Sequence, residues 1–177
     1  MDSGLLLGGG LLLAAAALAS RPRPPPVDPR AWPSRFFSYG DLVDRDDPLP
    51  RSLYPELQEL VRRLDLIQAR SGGRIRKVIS GYRSRAHNQA INGAQNSQHI
   101  NARAADFTAN GVTPRQLFAF IRELVARGEL PPGGGIGLYP TFVHYDTRPA
   151  RGNTSAPVEW GEGRGAADPA ALFAAFD

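Results

Sequence analysis

The chain has 177 residues, which is enough for one ordinary domain with an N-terminal extension. It contains no cysteine, which excludes disulfides, thiolate metal sites and cysteine nucleophiles, so any metal ion must be bound by nitrogen and oxygen atoms. The net charge of +4 comes almost wholly from arginine, and without a basic stripe interleaved with aromatic residues it does not indicate a nucleic-acid-binding module.

The N-terminus is an apolar run of leucine, alanine and glycine at residues 5–19. As a helix this run would cover roughly 22 Å, less than a hydrocarbon core of about 30 Å. Ala17-Leu18-Ala19 has the small-x-small pattern of a signal-peptidase site. Residues 1–19 are therefore predicted to be a signal peptide, or an uncleaved membrane anchor because Arg21 and Arg23 follow the apolar run instead of preceding it.

Export follows from this interpretation, and we expect a periplasmic or extracellular protein with membrane contact through its N-terminal segment. Residues 20–35 are rich in proline and are predicted to form an extended linker. Residues 36–177 are then expected to form one domain, which we expect to be monomeric.

The first half of this domain contains signals for two helices and a strand. Apolar residues spaced by three and four predict an amphipathic helix from Leu53 to Arg70, stopped by Gly72. A short strand is predicted from Ile75 to Ile79, followed by a polar turn. A second helix is predicted to begin near Arg85 and to carry His87.

The second half begins with a capping box at residues 113–116, which predicts a helix that ends at Gly128. Two strands are predicted at 136–139 and 141–145, and a last short helix at 168–176. Helices and short strands alternate irregularly, which favours an α+β fold with a small antiparallel sheet flanked by helices.

Two histidines and an aspartate form a candidate metal site. The chain has three histidines, and His99 and His144 together with Asp106 would give the three protein ligands typical of a catalytic zinc ion. His99 and Asp106 are seven residues apart, which places them two turns apart on a straight helix and on opposite faces of a straight strand. The chain must therefore bend between them, with His99 on a loop and Asp106 in a strand.

Asp146 is the candidate general base. In the segment Phe142-Val143-His144-Tyr145-Asp146, strand alternation puts His144 and Asp146 on the same face. A carboxylate beside a zinc ligand can take a proton from an attacking water molecule. The alternative is that Asp146 is a turn or salt-bridge residue, because its assignment depends on periodicity alone.

These residues also carry a family resemblance. Four segments carry it: Ser-Gly-Tyr-Arg-Ser at residues 80–84, the pattern Ser-x-His-x-x-Ala-x-Ala-x-Asp at 97–106, Gly-Gly-Ile-Gly-Leu-Tyr-Pro at 134–140 and Phe-Val-His-Tyr-Asp at 142–146. In order and spacing they resemble the motifs of the zinc D-Ala-D-Ala peptidases of the M15 family, which trim bacterial cell-wall peptides. The resemblance covers roughly residues 36 to 160.

The resemblance implies the fold of the zinc DD-peptidases and hedgehog proteins, with Zn²⁺ bound by His99, Asp106 and His144. It also implies that Arg83 stabilises the substrate carbonyl or its developing oxyanion, which suits a permanently charged guanidinium. Two positions depart from the family pattern. Ala102 replaces a glycine inside the predicted bend, and Thr141 stands three residues before the last histidine ligand, where relatives carry an acidic residue.

Three further residues are weaker candidates for substrate binding, each with a structural alternative. Ser97 could instead satisfy a turn, His87 could be an ordinary helix residue, and Tyr82 could be a wall of the cleft.

The sequence thus predicts an exported zinc peptidase acting on peptidoglycan stem peptides, as a D-Ala-D-Ala carboxypeptidase or a D-amino-acid endopeptidase. The rival hypothesis is a catalytically inactive, metal-stabilised module that binds cell wall or belongs to a phage virion, and Thr141 favours it. The bond that is cleaved and a bacterial or phage origin both stay open.

Overall fold

Five strands form one mixed sheet in the computed structural model, which describes residues 32–150 and 156–161. The strands are β1 (Ile75–Ser80), β2 (Ala104–Ala109), β3 (Gly135–Leu138), β4 (Val143–Asp146) and β5 (Val158–Gly161). Their order in the sheet is β1-β2-β4-β3-β5, and all neighbours are antiparallel except β3 and β5. The predicted α+β class is confirmed, but the sheet is not purely antiparallel, because β5 pairs parallel to β3.

Helices flank this sheet. They are α1 (Tyr39–Leu42), α2 (Tyr54–Arg70), α3 (Arg85–Ala90) and α4 (Pro114–Ala126), with short 3-10 helices at Arg51–Leu53 and Gln98–Asn101. Helix α4 begins with the predicted capping box, in which Thr113 and Gln116 cap each other's backbone N–H groups. Helix α2 carries a buried stripe of leucine, valine and isoleucine, as its periodicity predicts.

The two faces of the sheet differ in chemistry. Ala105 and Phe107 of β2 pair with Tyr145 and Val143 of β4, and all four belong to one hydrophobic core with the buried stripes of α2 and α4. Because side chains alternate along a strand, Asp106 and the residues that pair with it point to the opposite face. The candidate site lies on that second face.

Some predicted features fall outside the described residues. The segment 1–19, most of the proline-rich linker and the final helix at 168–176 lie there. Among the residues that are described, no helix combines the length and the hydropathy needed to cross a membrane.

Candidate metal centre

His99, Asp106 and His144 converge as the sequence predicts. His99 Nε2 lies 3.2 Å from Asp106 Oδ1 and 3.2 Å from His144 Nδ1, and the latter is 2.7 Å from Asp106 Oδ1. All three side chains are buried. Three potential ligand atoms, one from each residue, therefore face a common point.

Two of these residues are positioned by strand pairing and the third by a turn. Asp106 of β2 lies directly opposite His144 of β4 in the sheet register. His99 comes from the 3-10 helix Gln98–Asn101, which ends at Ala102 in a left-handed conformation with φ 54° and ψ 28°. This is the bend that the seven-residue spacing requires, and it occurs at the position where the family usually has glycine.

Each ligand residue is held by a partner on the side away from the cluster. His99 Nδ1 lies 2.6 Å from the carbonyl oxygen of Gly81 and can donate its proton there, which leaves Nε2 with a free lone pair. Arg83 Nη2 donates to Asp106 Oδ2 at 2.8 Å, which leaves Oδ1 for the cluster. Metal ligands in proteins are commonly oriented by such outer hydrogen bonds.

The donor set fits a zinc ion. Two imidazole nitrogens and one carboxylate oxygen are ligands that zinc accepts in catalytic sites. Tetrahedral ligands about 2.0–2.2 Å from zinc lie roughly 3.3–3.6 Å from one another. The separations of 2.7 to 3.2 Å must expand by about 0.1 to 0.9 Å to reach that spacing.

Burial and mutual contacts shift the pKa values of the three groups. Burial lowers the pKa of His99, which favours the neutral imidazole that a metal requires. Burial also opposes charge on Asp106 and on His144. Their mutual hydrogen bond, together with His99 beside Asp106 and Asp146 beside His144, outweighs burial, so the pKa of Asp106 lies well below its usual range and that of His144 above it.

Asp146 lies on the far side of the His144 ring from the cluster. Its Oδ2 is 3.3 Å from His144 Nε2, and Arg148 binds the same carboxylate through its backbone N–H and its guanidinium. Burial alone would raise the pKa of Asp146, but the hydrogen bonds from His144 and Arg148 lower it to about 2. Such a carboxylate is a poor proton acceptor at neutral pH. This geometry does not support the prediction that Asp146 is the general base and instead favours orientation of His144.

Trp160 of β5 covers the ring of His144. Their ring centroids are 5.2 Å apart, and the Arg148 guanidinium lies 5.0 Å from the Trp160 ring. The indole lies across β3, where a Cβ on Gly137 would come within 2.7 Å of it. Glycine is therefore needed in β3 because the tryptophan ring occupies the space of a side chain.

Sequence reasoning missed Arg148, and for Trp160 it favoured an apolar anchor of the C-terminal segment over a place at the edge of the site. One available signal was the two-residue spacing of Asp146 and Arg148, which puts both on one side of an extended chain. The alternating glycines Gly135 and Gly137 were a second signal, since they leave one face of a strand open for a large ring. The pairing of β5 with β3 has no comparable local signal.

The cluster lies in a cleft of about 420 Å³, which we call the metal cleft. Arg83 and Ser97 line it, and an aromatic wall is formed by Trp160, Tyr139 and Phe142, the last two stacked with ring centroids 4.5 Å apart. Among the described residues that line the metal cleft, Asp106 is the only one with a carboxylate.

Of the remaining residues singled out in the sequence, only Ser97 lies in the metal cleft. Ser97 caps the 3-10 helix by accepting from the backbone N–H of His99 at 3.4 Å. His87 instead pairs with Asp47, 3.1 Å from its Nδ1, and together with Tyr82 it lines a separate cavity. Neither His87 nor Tyr82 lines the metal cleft. Thr141 also lies outside it, in another cavity.

An α+β fold with a buried His-Asp-His cluster in an open cleft is the arrangement of a metal-dependent hydrolase. Comparison with protein families gives a match to the family described as Peptidase M15 over residues 37–146, which is more than half of the chain. The chain therefore belongs to the peptidase M15 family of metal-dependent peptidases, as its motifs predict. Comparison with curated proteins gives no significant match.

Proposed function

We propose that this chain is a zinc-dependent peptidase that hydrolyses peptidoglycan stem peptides, as a D-Ala-D-Ala carboxypeptidase or a D-amino-acid endopeptidase. The observation that carries the proposal is the cluster of His99, Asp106 and His144, whose ligand atoms face one point while their other polar atoms are held by neighbours. The cell-wall substrate rests on the resemblance of the four sequence motifs. We also propose that the protein is exported, acts as a monomer, and contacts the membrane through its N-terminal segment.

Zinc held by these three residues would supply Lewis acidity and would lower the pKa of a water molecule so that it attacks a peptide carbonyl at neutral pH. Arg83 lines the metal cleft and is fixed by Ser80 and Asp106, with distances of 2.8 Å from its Nε to Ser80 Oγ and from its Nη2 to Asp106 Oδ2. A fixed positive charge at this place can stabilise negative charge that develops on the substrate carbonyl oxygen. The aromatic wall shields one side of the metal cleft from water.

The second candidate function is a metal-stabilised module that binds cell wall, or belongs to a phage virion, without cleaving its ligand. The specific observation in its favour is the lack of a carboxylate base among the described residues of the metal cleft. Asp106 is engaged in the cluster, Asp146 lies behind His144, and Thr141 occupies the position where relatives have an acidic residue. This candidate keeps the metal site and predicts binding of muropeptides without products.

Metal analysis combined with mass spectrometry of digested muropeptides tests both candidates. We expect one zinc ion per chain, shortened stem peptides, and loss of both in His99→Ala. His87→Ala is the matched control, because His87 lies outside the cluster and should leave zinc content and cleavage unchanged. A zinc-loaded protein that binds muropeptides without cleaving any would favour the inactive module. A protein that binds no zinc would contradict both candidates.

A further inference from the structure

The connection between β1 and α3, residues 81–84, contacts two members of the metal cluster, and we call it the Arg83 segment. Its Gly81 carbonyl oxygen lies 2.6 Å from His99 Nδ1. Its Arg83 guanidinium donates to Asp106 Oδ2 at 2.8 Å and lines the metal cleft. The orientation of both ligands, and the place of the Arg83 charge, therefore depend on how this segment is held.

The first peptide group of the Arg83 segment, between Gly81 and Tyr82, is hydrogen-bonded at both ends. Its N–H donates to the carbonyl oxygen of Leu42 at 2.7 Å, and its C=O is the group that faces His99. A Cβ on Gly81 would collide with that same Leu42 oxygen, so the close approach requires glycine. Linked hydrogen bonds polarise one another, so the bond to Leu42 makes the Gly81 carbonyl a stronger acceptor for the imidazole.

The last peptide group of the segment, between Arg83 and Ser84, is held by a side chain. Ser84 N donates to Asp47 Oδ2 at 2.7 Å. A carboxylate accepts a stronger hydrogen bond from a backbone N–H than a neutral oxygen does. The same carboxylate oxygen lies 3.1 Å from His87 Nδ1, but the His87 side chain is 45% exposed, and exposed pairs contribute little. Asp47 therefore acts on the segment mainly through Ser84.

Asp47 is itself fixed by the fold. It lies in the loop that follows α1, and Val43 and Leu49 on either side of it are buried in the hydrophobic core. Between them a tight turn precedes Asp47, in which Asp44 Oδ1 accepts from Asp46 N at 2.8 Å and Asp44 O accepts from Asp47 N at 3.2 Å. Because the loop is anchored on both sides, the Asp47 carboxylate can serve as a rigid support for another segment.

We propose that Asp47 is a positioning residue for Arg83 and His99, because it holds the segment that carries the first and contacts the second. Asp47 does not line the metal cleft, so it acts only through this segment. Without its carboxylate the Ser84 N–H loses its acceptor, and the segment gains freedom to move away from both ligands. The consequence for catalysis rests on the proposed peptidase function, whereas the consequence for Arg83 itself does not.

Zinc affinity tests the proposal in three variants. Asp47→Ala removes the acceptor, Asp47→Asn keeps a neutral acceptor, and Asp46→Asn is the matched control, because it removes the same charge from the exposed neighbouring residue. Competition with a chromophoric chelator should show a zinc affinity about three- to tenfold lower in Asp47→Ala, less than for a direct partner of a ligand. Asp47→Asn should recover part of this loss, and Asp46→Asn should bind zinc as the native protein does.

A second measurement needs neither zinc nor substrate. The Nε–H of Arg83 donates to Ser80 Oγ at 2.8 Å and its side chain is largely buried, so its proton should exchange slowly with water in the metal-free protein. Nuclear magnetic resonance should show exchange about tenfold faster or more in Asp47→Ala, and native exchange in Asp46→Asn. Backbone amides of β3, three strands away from β1, should exchange as in the native protein in both variants.

An unchanged zinc affinity or an unchanged Arg83 signal in Asp47→Ala overturns the proposal. So does an equal effect in Asp46→Asn, which would reduce the role of Asp47 to its charge, and so does equally faster exchange in β3, which would show a general loss of stability. If the native protein binds no zinc, the proposed function fails, and the Arg83 signal then decides the inference alone. Fast exchange confined to Asp47→Ala supports the positioning role, and slow exchange in every variant overturns it.

Discussion

Asp146 is aligned with His144 on the side opposite to the metal cluster: its Oδ2 lies 3.3 Å from His144 Nε2, while His144 Nδ1 lies 2.7 Å from Asp106 Oδ1. The imidazole therefore joins two carboxylates, one inside the cluster and one behind it. A carboxylate at the outer nitrogen fixes the tautomer and the ring orientation of a metal-binding histidine.

This alignment predicts the effect of Asp146→Asn on metal binding. If Asp146 orients His144, the substitution weakens zinc affinity about 10- to 100-fold, as for other outer partners of metal ligands. Competition with a chromophoric chelator measures this directly. A general base would behave differently, since its loss lowers kcat and leaves zinc affinity unchanged, so an unchanged zinc affinity would contradict the positioning role.

The stability of the protein in acid tests the lowered pKa of Asp146 independently of metal binding. The pKa of Asp146 is lowered to about 2, below its value near 4 in an unfolded chain. Its ionised carboxylate therefore stabilises the folded protein above pH 4, and this stabilisation is lost as the pH falls towards 2. The metal-free native protein should lose stability over this window more steeply than Asp146→Asn. Urea unfolding at a series of pH values tests this, and parallel curves for the two proteins would contradict the assigned pKa.

Fluorescence can report metal binding through Trp160. The chain has two tryptophans, and Trp160 lies 5.2 Å from His144 whereas Trp32 packs against Tyr39 and Tyr54. Cobalt(II) bound at the cluster should quench Trp160 emission, because energy transfer from the indole to the metal is most efficient at short range. The quenching should be retained in Trp32→Phe and largely lost in Trp160→Phe. Equal quenching in both variants would place the metal elsewhere.

Gly137→Ala tests the close approach of the indole to β3. The new methyl group would lie 2.7 Å from ring atoms of Trp160, so the ring must move away from the strand. We expect a loss of about 1–3 kcal/mol in the free energy of unfolding, as for other overpacked sites. Gly40→Ala is the matched control, because its Cβ would have no neighbour nearer than 3.9 Å. Similar stabilities for both variants would show that the ring does not occupy this space.

Ala102 carries a prediction of its own. Glycine at this position relieves about 1 kcal/mol of left-handed strain but removes a fully buried methyl worth a similar amount, so Ala102→Gly should be nearly neutral. Ala102→Val should cost about 3 kcal/mol or more, because a β-branched residue avoids positive φ and its larger side chain must fit at a fully buried position. Thermal unfolding of both variants measures the difference, and equal losses would argue against the left-handed turn.

The ligands could be predicted from the sequence because their spacing and strand alternation constrain them locally. The spacing of seven between His99 and Asp106 requires a bend, and the structure has it at Ala102. The position of the Asp146 carboxylate relative to the His144 ring could not be predicted in the same way. Alternation places Asp146 on the same face as His144 but does not tell which imidazole nitrogen it meets.

Long-range strand pairing explains why Trp160 and Arg148 could not be assigned to the site from the sequence. Trp160 reaches the metal cleft because β5 pairs parallel to β3, and that contact joins segments more than twenty residues apart. Arg148 becomes important only when Trp160 and Asp146 lie on either side of it. Residue type alone makes His87 and Tyr82 candidates for substrate binding, and the fold places them around a different cavity.

The register between β2 and β4 has a consequence for how such a site can change over evolution. Asp106 and His144 are adjacent because the backbones of neighbouring strands are hydrogen-bonded, so their separation is a property of the sheet and withstands most side-chain substitutions. His99 depends on one short helical turn and a single left-handed residue. Changes in that turn can strengthen or weaken metal affinity by small steps while the other two ligands stay in place, which makes residues 97–102 the segment where metal affinity is most readily tuned.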